Sequence, residues 1–375
     1  VDDYAVYLRA PDLSREALIE DYQKLECIER HIAVGAWSLQ VDVRTAAAAK
    51  LATPGYGIEV VLDGGLVLAG PMTTCKRDRD SSQNTLTVGG PDDMVWLSRR
   101  VAHPQPATPV PPYNANEHDV RTDLASTVLG EYVDANAGPG ALPERRIPTL
   151  TIAPDPLLGA TITGRARWQN LLVLLQELAL AGGVAFRVQQ VDEELEFSVR
   201  APEDLTADVQ FSEPLGNLEG YKYDSASSPL NFVYLGGQGE GTARVIVEGQ
   251  APGEIIDWGR IESFQDRRDT ADTDELTQHI VKVLAENTSS AGLVITPADT
   301  DRQVYRVDYR LGDRVTAVID GIPVQDQVQE VQTVITPAEA AIVRPTIGSQ
   351  SRRGALRLFD LLRAANARLI DLERR

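Results

Sequence analysis

The sequence predicts a mainly β chain with an α+β insertion, and three observations carry that prediction. Short strand-like runs recur through the first hundred residues, one of them cleanly alternating apolar and polar residues, and again beyond residue 300. A glycine-rich run, Gly236-Gly237-Gln238-Gly239-Glu240-Gly241, lies between two runs rich in β-branched and aromatic residues. A single strong helical stripe, Trp168 to Ala179, stands between the β regions and ends on a glycine pair. The architecture expected is two β-barrel-like domains, a helix-plus-sheet module and a C-terminal helix. At 375 residues the chain is long enough for two or three domains that each bury a core.

Taken in order, Tyr4 to Arg9 reads as a first strand, and Leu25 to His31 alternates weakly. Trp37, Leu39, Val41 and Val43 alternate cleanly with Ser38, Gln40, Asp42 and Arg44, the pattern of a strand with one wet face. Ile58 to Leu62, the turn Asp63-Gly64-Gly65 and Leu66 to Leu68 predict a hairpin. Thr85 to Val88 adds a strand, with Gly89-Gly90-Pro91 expected to end it. These strands form a first domain over 1–101. The prolines at 104, 106, 109, 111 and 112 exclude helix and central strand, so 102–118 is expected to be a stiff, extended connector.

An α+β module is expected over 119–210. Asp119 to Asn136 carries Leu124, Val128, Leu129, Tyr132 and Val133 near helical spacing, and Ala137-Gly138-Pro139-Gly140 stops it. In the second helix, Trp168, Leu171, Leu172, Leu175, Leu178 and Ala179 form the apolar stripe, closed by Gly182-Gly183. The strand Val184 to Val188 follows, then Leu195 to Val199 beyond the acidic turn Asp192-Glu193-Glu194.

A second β domain with a helical insertion is expected over 211–340. Phe232 to Leu235 and Ala243 to Val247 read as strands on either side of the glycine run. Gly236, Gly237, Gly239 and Gly241 are therefore assigned to a structural turn, tight or bulged. A phosphate cradle is excluded on physical grounds. Such a cradle needs a helix N-terminus after its glycines, whereas a β-branched run follows here, and Glu240 would repel phosphate. Thr273 to Glu286 is a helix with Leu276, Ile280 and Leu284 on one side. Gln303 to Tyr309, Arg314 to Ile319 and Gln327 to Ile335 are strands, turning at Leu311-Gly312-Asp313 and Asp320-Gly321. The tail 341–375 carries Ala355, Leu358, Leu362, Ala365, Leu369 and Leu372 at heptad positions, with Arg352, Arg353, Arg374 and Arg375 at its ends. Leu358, Leu362, Leu369 and Leu372 are candidates for a self-association helix, and docking of that helix on its own domain is the alternative.

Composition narrows function further. The net charge is −19, which argues against a surface that grips nucleic acid but not against one that DNA slides past. No apolar run is long enough to cross a bilayer, and Val1-Asp2-Asp3-Tyr4 offers no leader, so a protein made in the cytosol with no membrane segment is expected. Cys27 and Cys75 are too far apart for a Cys-x-x-Cys motif, and whether they pair stays open. His31, His103, His118 and His279 are scattered, and no nucleophile elbow or His-Glu-x-x-His motif exists. The pairs Asp272/Asp274 and Asp299/Asp301 do not fit a calcium loop, and nothing fixes Asp119 and Glu131 as a glycosidase pair. The chain is expected to have no enzymatic activity, catalytic residue, cofactor or metal.

Several stretches together resemble a known family. They are "VYLGGQGEGTAR" (233–244), "WSLQV" (37–41), "GIEVVLDGGLVLAGP" (57–71) and "LTVGGPDDMVWLSRR" (86–100), with "WQNLLVLLQELALAGGVAFRV" (168–188) and "YRLGDRVTAVIDG" (309–321). The set is similar to the phage tail-hub, or baseplate-hub, proteins of long-tailed actinobacterial phages. That resemblance implies two tail-tube-like barrels per subunit and a homotrimeric ring at the tail tip. Three copies would then present six barrels and match six-fold tube symmetry to a three-fold tip. It further implies tail-tube or distal-tail partners above, tip or fibre partners below, and a lumen through which genomic DNA passes without specific binding. Acidic turns such as Asp78-Arg79-Asp80 and Asp192-Glu193-Glu194 are candidates to line that lumen. The alternatives are a tail-tip cell-wall hydrolase and a host-carbohydrate-binding module.

Overall fold

The alternation of Trp37, Leu39 and Val41 is the sequence signal that the first β core is built on, since all three side chains are buried and their neighbours are not. The computed structural model describes residues 4–79, 84–113, 115–268, 271, 273–297, 303–337 and 340–348. The chain divides into two compact units: Val1–Leu205, Tyr305–Arg314 and Val328–Pro345 form one, and Thr206–Val304, Val315–Gln327 and Thr346–Arg375 the other.

The first unit opens with β1 (Tyr4–Arg9), β2 (Arg15–Leu18), β3 (Tyr22–Arg30) and β4 (Ala36–Asp42), then the short helix α1 (Ala46–Leu51). β5 (Gly57–Leu62), β6 (Gly65–Pro71), β7 (Thr74–Arg79) and β8 (Asn84–Pro91) follow, and then the single turn α2 (Val95–Ser98). One antiparallel sheet has the order β2-β1-β5-β6. In a second, β3, β4, β8 and β7 lie side by side, with residues 330–335 paired to 25–30 on the outer side of β3. Val6, Leu8, Ile58 and Val60 from the first sheet share a core with Leu25, Cys27, Trp37, Leu39 and Val88 from the second. Burial of that apolar area is the main stabilising contribution to this β core. Gly89 and Gly90 lie inside β8 and do not end it. The reason is close approach: a side chain on Gly90 would run into the carbonyl oxygen of Pro71.

The rest of this unit is a helix-and-sheet layer. It comprises β9 (Asp119–Leu124), α3 (Ala125–Asn136), β10 (Leu150–Ile152), β11 (Thr161–Ala166), α4 (Leu171–Gly182), β12 (Ala185–Val191) and β13 (Glu194–Arg200). The helix expected from Asp119 starts six residues late. Residues 119–124 pair with 161–166 as a two-stranded ribbon, and the ladder outweighs the weak helical spacing there. Trp168, expected on the second helix, sits before it at φ 64, and α4 starts where Asn170 Oδ1 accepts from Leu172 N and Val173 N. Gly183 closes α4 in the left-handed conformation. α3 and α4 cover the sheet β10-β13-β12, in which β10 runs parallel to β13. The proline-rich stretch packs against this unit, with Ala102, His103 and Gln105 buried. A buried fork joins β1 to the segment after β8: the Arg9 guanidinium donates to both Asp93 oxygens at 2.6 and 3.0 Å and to Gln190 Oε1 at 3.0 Å.

The second unit contains β14 (Gln210–Ser212), β15 (Leu218–Ala226), β16 (Phe232–Gly236), β17 (Ile246–Gln250), α5 (Pro252–Trp258), β18 (Glu262–Asp266), α6 (Thr273–Glu286) and β19 (Ser290–Pro297). Most of β20 (Arg314–Ile319), the start of β21 (Ile322–Ile335) and the end of β22 (Ile342–Ile347) belong to it as well. β15 and β19 form a long antiparallel pair, and β14 runs parallel to β20. The strand expected over Gln303 to Tyr309 is a turn instead. Gln303 and Arg306 have φ of 64 and 74, which no ladder accommodates, and only an isolated bridge joins Tyr305 to Tyr309. Leu358, Leu362, Leu369 and Leu372 lie outside the described residues, as do Asp80, Asp272, Asp299 and Asp301.

Candidate functional site

The glycine run lies in a small helix-on-sheet module of the second unit. β16 is central, with β17 antiparallel on one side and β18 parallel on the other. Val233 and Leu235 face α6 and pack on Leu276, Ile280 and Val283. The second strand begins at Ile246, not at Ala243 as the β-branched run suggests, because Gly241–Ala243 forms a 3-10 turn. Gly236 is the last residue of β16, and Gly237 N donates to Val245 O at 2.8 Å. Gly239 and Gly241 take φ of 111 and 56. At Gly239 a side chain would be strained twice, by that φ and by a clash near Ala243 O at 2.5 Å.

What holds this loop is Arg244. Its Nη2 donates to Gly236 O at 3.0 Å, its Nε to Gly237 O at 3.2 Å, and it pairs with Asp266. Arg260 acts similarly on the same module, stacked 3.5 Å over Phe232 while donating to Tyr234 Oη at 2.8 Å and Glu262 at 2.6 Å. Because β16, β17 and β18 are in register, Phe232, Tyr234 and Phe264 lie on the sheet face opposite α6. After the glycines come a three-residue 3-10 turn and a strand, an arrangement that presents no α-helix N-terminus to a phosphate.

The titratable side chains singled out by sequence sit in structural roles. Asp119 and Glu131 do come together, but around Arg121, at 2.9 and 3.4 Å. His31 is buried against Gly312, and its pKa falls to about 4 through burial and the nearby Arg200, with Asp313 opposing. His103 stacks edge-on with Tyr113 and Trp168 at 4.7 and 4.3 Å, and its Nδ1 accepts from Gln105 N at 2.9 Å. His279 lies 3.2 Å from Arg267, and His118 is half-buried. Cys27 and Cys75 are both free, the first buried in β3 and the second exposed on β7. Asp192 to Glu194 form the exposed β12–β13 turn, and Asp78 lies on the exposed strand β7. No metal-ligating cluster exists among the described residues.

One groove in the first unit lies along α3. It measures about 290 Å³ and runs between α3 and residues 152–156. Ile152, Phe197 and Val199 contribute its apolar lining, and Glu131, Asp134 and Asp155 its charged groups.

Residues 5–349 match the family described as Siphovirus ReqiPepy6 Gp37-like protein. The chain belongs to that family. Among solved structures, the fold is similar to the 43 kDa tail protein of prophage MuSo2 from Shewanella oneidensis, with TM-score 0.54 and 10% identity over 92% of this chain and 98% of that one. It is also similar to a tail protein from Neisseria meningitidis MC58, with TM-score 0.52 and 14% identity over 92% and 96%. At such identities the likeness is one of fold. Curated protein sequences contain no match. In this Gp37-like chain the glycines were legible from sequence, while Arg244 and Arg260 were not. Each has one partner far away in sequence, Asp266 at 22 residues from Arg244 and Tyr234 at 26 from Arg260, beyond any local spacing rule. No helix among the described residues is long and apolar enough to cross a membrane.

Proposed function

We propose that this Gp37-like chain is a structural subunit of the phage tail, located in the virion at the tail tip. Three copies form a ring that joins the tail tube to the tip and surrounds the channel for DNA. The observation that carries this reading is the fold likeness to a phage tail protein, which spans 92% of this chain and 98% of the tail protein. The two-sheet β core of the first unit supplies rigid strands with exposed outer edges at β2 and β7, which suit lateral packing of copies. The leucines at 358, 362, 369 and 372 add a self-association surface. Acidic turns such as Asp192 to Glu194 face the passing DNA and repel it within a Debye length of ~8–10 Å.

A structural, non-enzymatic role agrees with the chemistry at Asp119 and Glu131, whose shared Arg121 suits an ion-pair network. Electron microscopy of particles decorated with a gold-labelled antibody fragment against this chain tests the location. Label confined to the tip of the tail is the expected result, and label along the tube or none on the particle contradicts it. Zymography on cell-wall material separates the hydrolase alternative, with no cleared band expected.

A further inference from the structure

Resting on the reading that copies assemble, we infer that the groove along α3 receives the C-terminal segment, residues 349–375, of another copy. The groove makes two demands on its occupant. Its floor of Ile152, Phe197 and Val199 needs an apolar side chain, and its rim needs a cation. Glu131 and Asp134 lie on successive turns of α3, Asp155 stands on the opposite wall, and no Lys or Arg lines the groove. Two of the three carboxylates are held in place by neutral donors. Asp155 accepts from the Ser126 and Thr127 hydroxyls at 2.6 Å each, and Asp134 from Gly140 N at 2.8 Å. Among the described residues, only Glu131 of the three has an ion-pair partner, Arg121 at 3.4 Å. The rim therefore remains anionic and positioned.

A chain of net charge −19 has few segments that offer apolar groups and positive charge together. Residues 349–375 do, with seven arginines against three carboxylates. Leu358 and Leu362 are one helical turn apart in spacing, and Arg357 and Arg363 flank them. Leucine into the floor and arginine onto the rim satisfies both demands. An apolar segment that carried carboxylates would bring like charges to the carboxylate rim, which are repulsive.

Hydrogen exchange on the full chain across a concentration series, with sedimentation to record association, tests this. Exchange at 126–134 and 152–156 should slow by about tenfold or more as copies associate. E131K/D134K should abolish that slowing, and so should R357E/R363E. The combined charge-swapped chain should recover it, which a merely unfolded variant would not. Slow exchange in the β4 region of every variant confirms that the first unit is folded. Association with groove exchange unchanged overturns the inference and leaves the assembly reading intact. A chain that stays monomeric, with fast groove exchange at every concentration, overturns both.

Discussion

Two helix-on-sheet layers in this chain are stabilised differently. In the first unit, α3 and α4 cover β10-β13-β12 through a large apolar core that includes Leu129, Tyr132, Leu175, Phe186 and Phe197. In the second unit, α6 covers β17-β16-β18, and among the described residues the core there is the small cluster Val233, Leu235, Leu276, Ile280 and Val283. The opposite face of that small sheet is held by arginines on aromatic rings, Arg260 on Phe232 and Arg244 on Phe264. Apolar burial is thus the main support of one layer. The other depends on charged side chains that remain within reach of water and salt.

The largest expected effect lies in the first layer. Tyr132 is fully buried, its hydroxyl donates to Asp119 O at 2.8 Å, and Gly164 lies against its ring. Tyr132→Ala should lower stability by about 3–5 kcal/mol in denaturant titration, through the cavity and the lost contacts. A loss below about 1 kcal/mol would show that this core relaxes around the gap and would remove the contrast between the layers.

Acid response should also belong to the first unit, where two titratable groups, the half-buried Asp92 and the buried His31, act in opposite directions. Burial pushes the Asp92 carboxyl up to about 7, with Asp93 adding to the rise, while Arg187 and the backbone N–H groups that bond it oppose. A raised pKa contributes stability at low pH that is lost as pH climbs through about 7. His31, depressed to about 4, contributes stability at neutral pH that is lost as pH falls from its ordinary range towards 4. Asp92→Asn should therefore raise stability at pH 7 and leave it unchanged near pH 4, so its acid-induced loss is steeper than that of the parent. Equal profiles for the two proteins between pH 4 and 8 would contradict the placement of Asp92.

In the second layer, Gly239→Val should cost about 1–3 kcal/mol, because it forces a β-branched residue into a positive φ. The loss should appear as faster hydrogen exchange in β16 and β17 and leave α3 and α4 unaffected. Arg260→Met comes last, as the smallest loss in denaturant titration, since it removes the stacked cation and its bonds to Tyr234 and Glu262 while keeping an apolar stem. Raising salt should shrink that difference, and a salt-independent cost would show that packing and not charge fixes the outer face.

Elements with a periodic burial pattern were legible in the sequence, and elements fixed by distant partners were not. Ala36–Asp42 alternates because one face is in the core, and Thr273–Glu286 shows its stripe because only one side meets a sheet. Thr74–Arg79 is exposed along its whole length, so it carries no alternation, and only its pairing with β8 makes it a strand. Residues 119–124 read as helix because their ladder partner is some forty residues away, Thr161 against Leu124. For the candidate sites, the glycines were visible as residues that need unusual backbone. Arg121, Arg244, Arg260 and the α3 groove were not, since each depends on side chains that meet only after folding.

The proposed three-fold hub at the tail tip is tested most directly by reconstructing the tip of the intact particle without imposed symmetry. The expected result is three copies of this chain in a closed ring around an open hole, with the tail tube seated on it. Six copies, a single copy, or a tip that lacks the chain would contradict it.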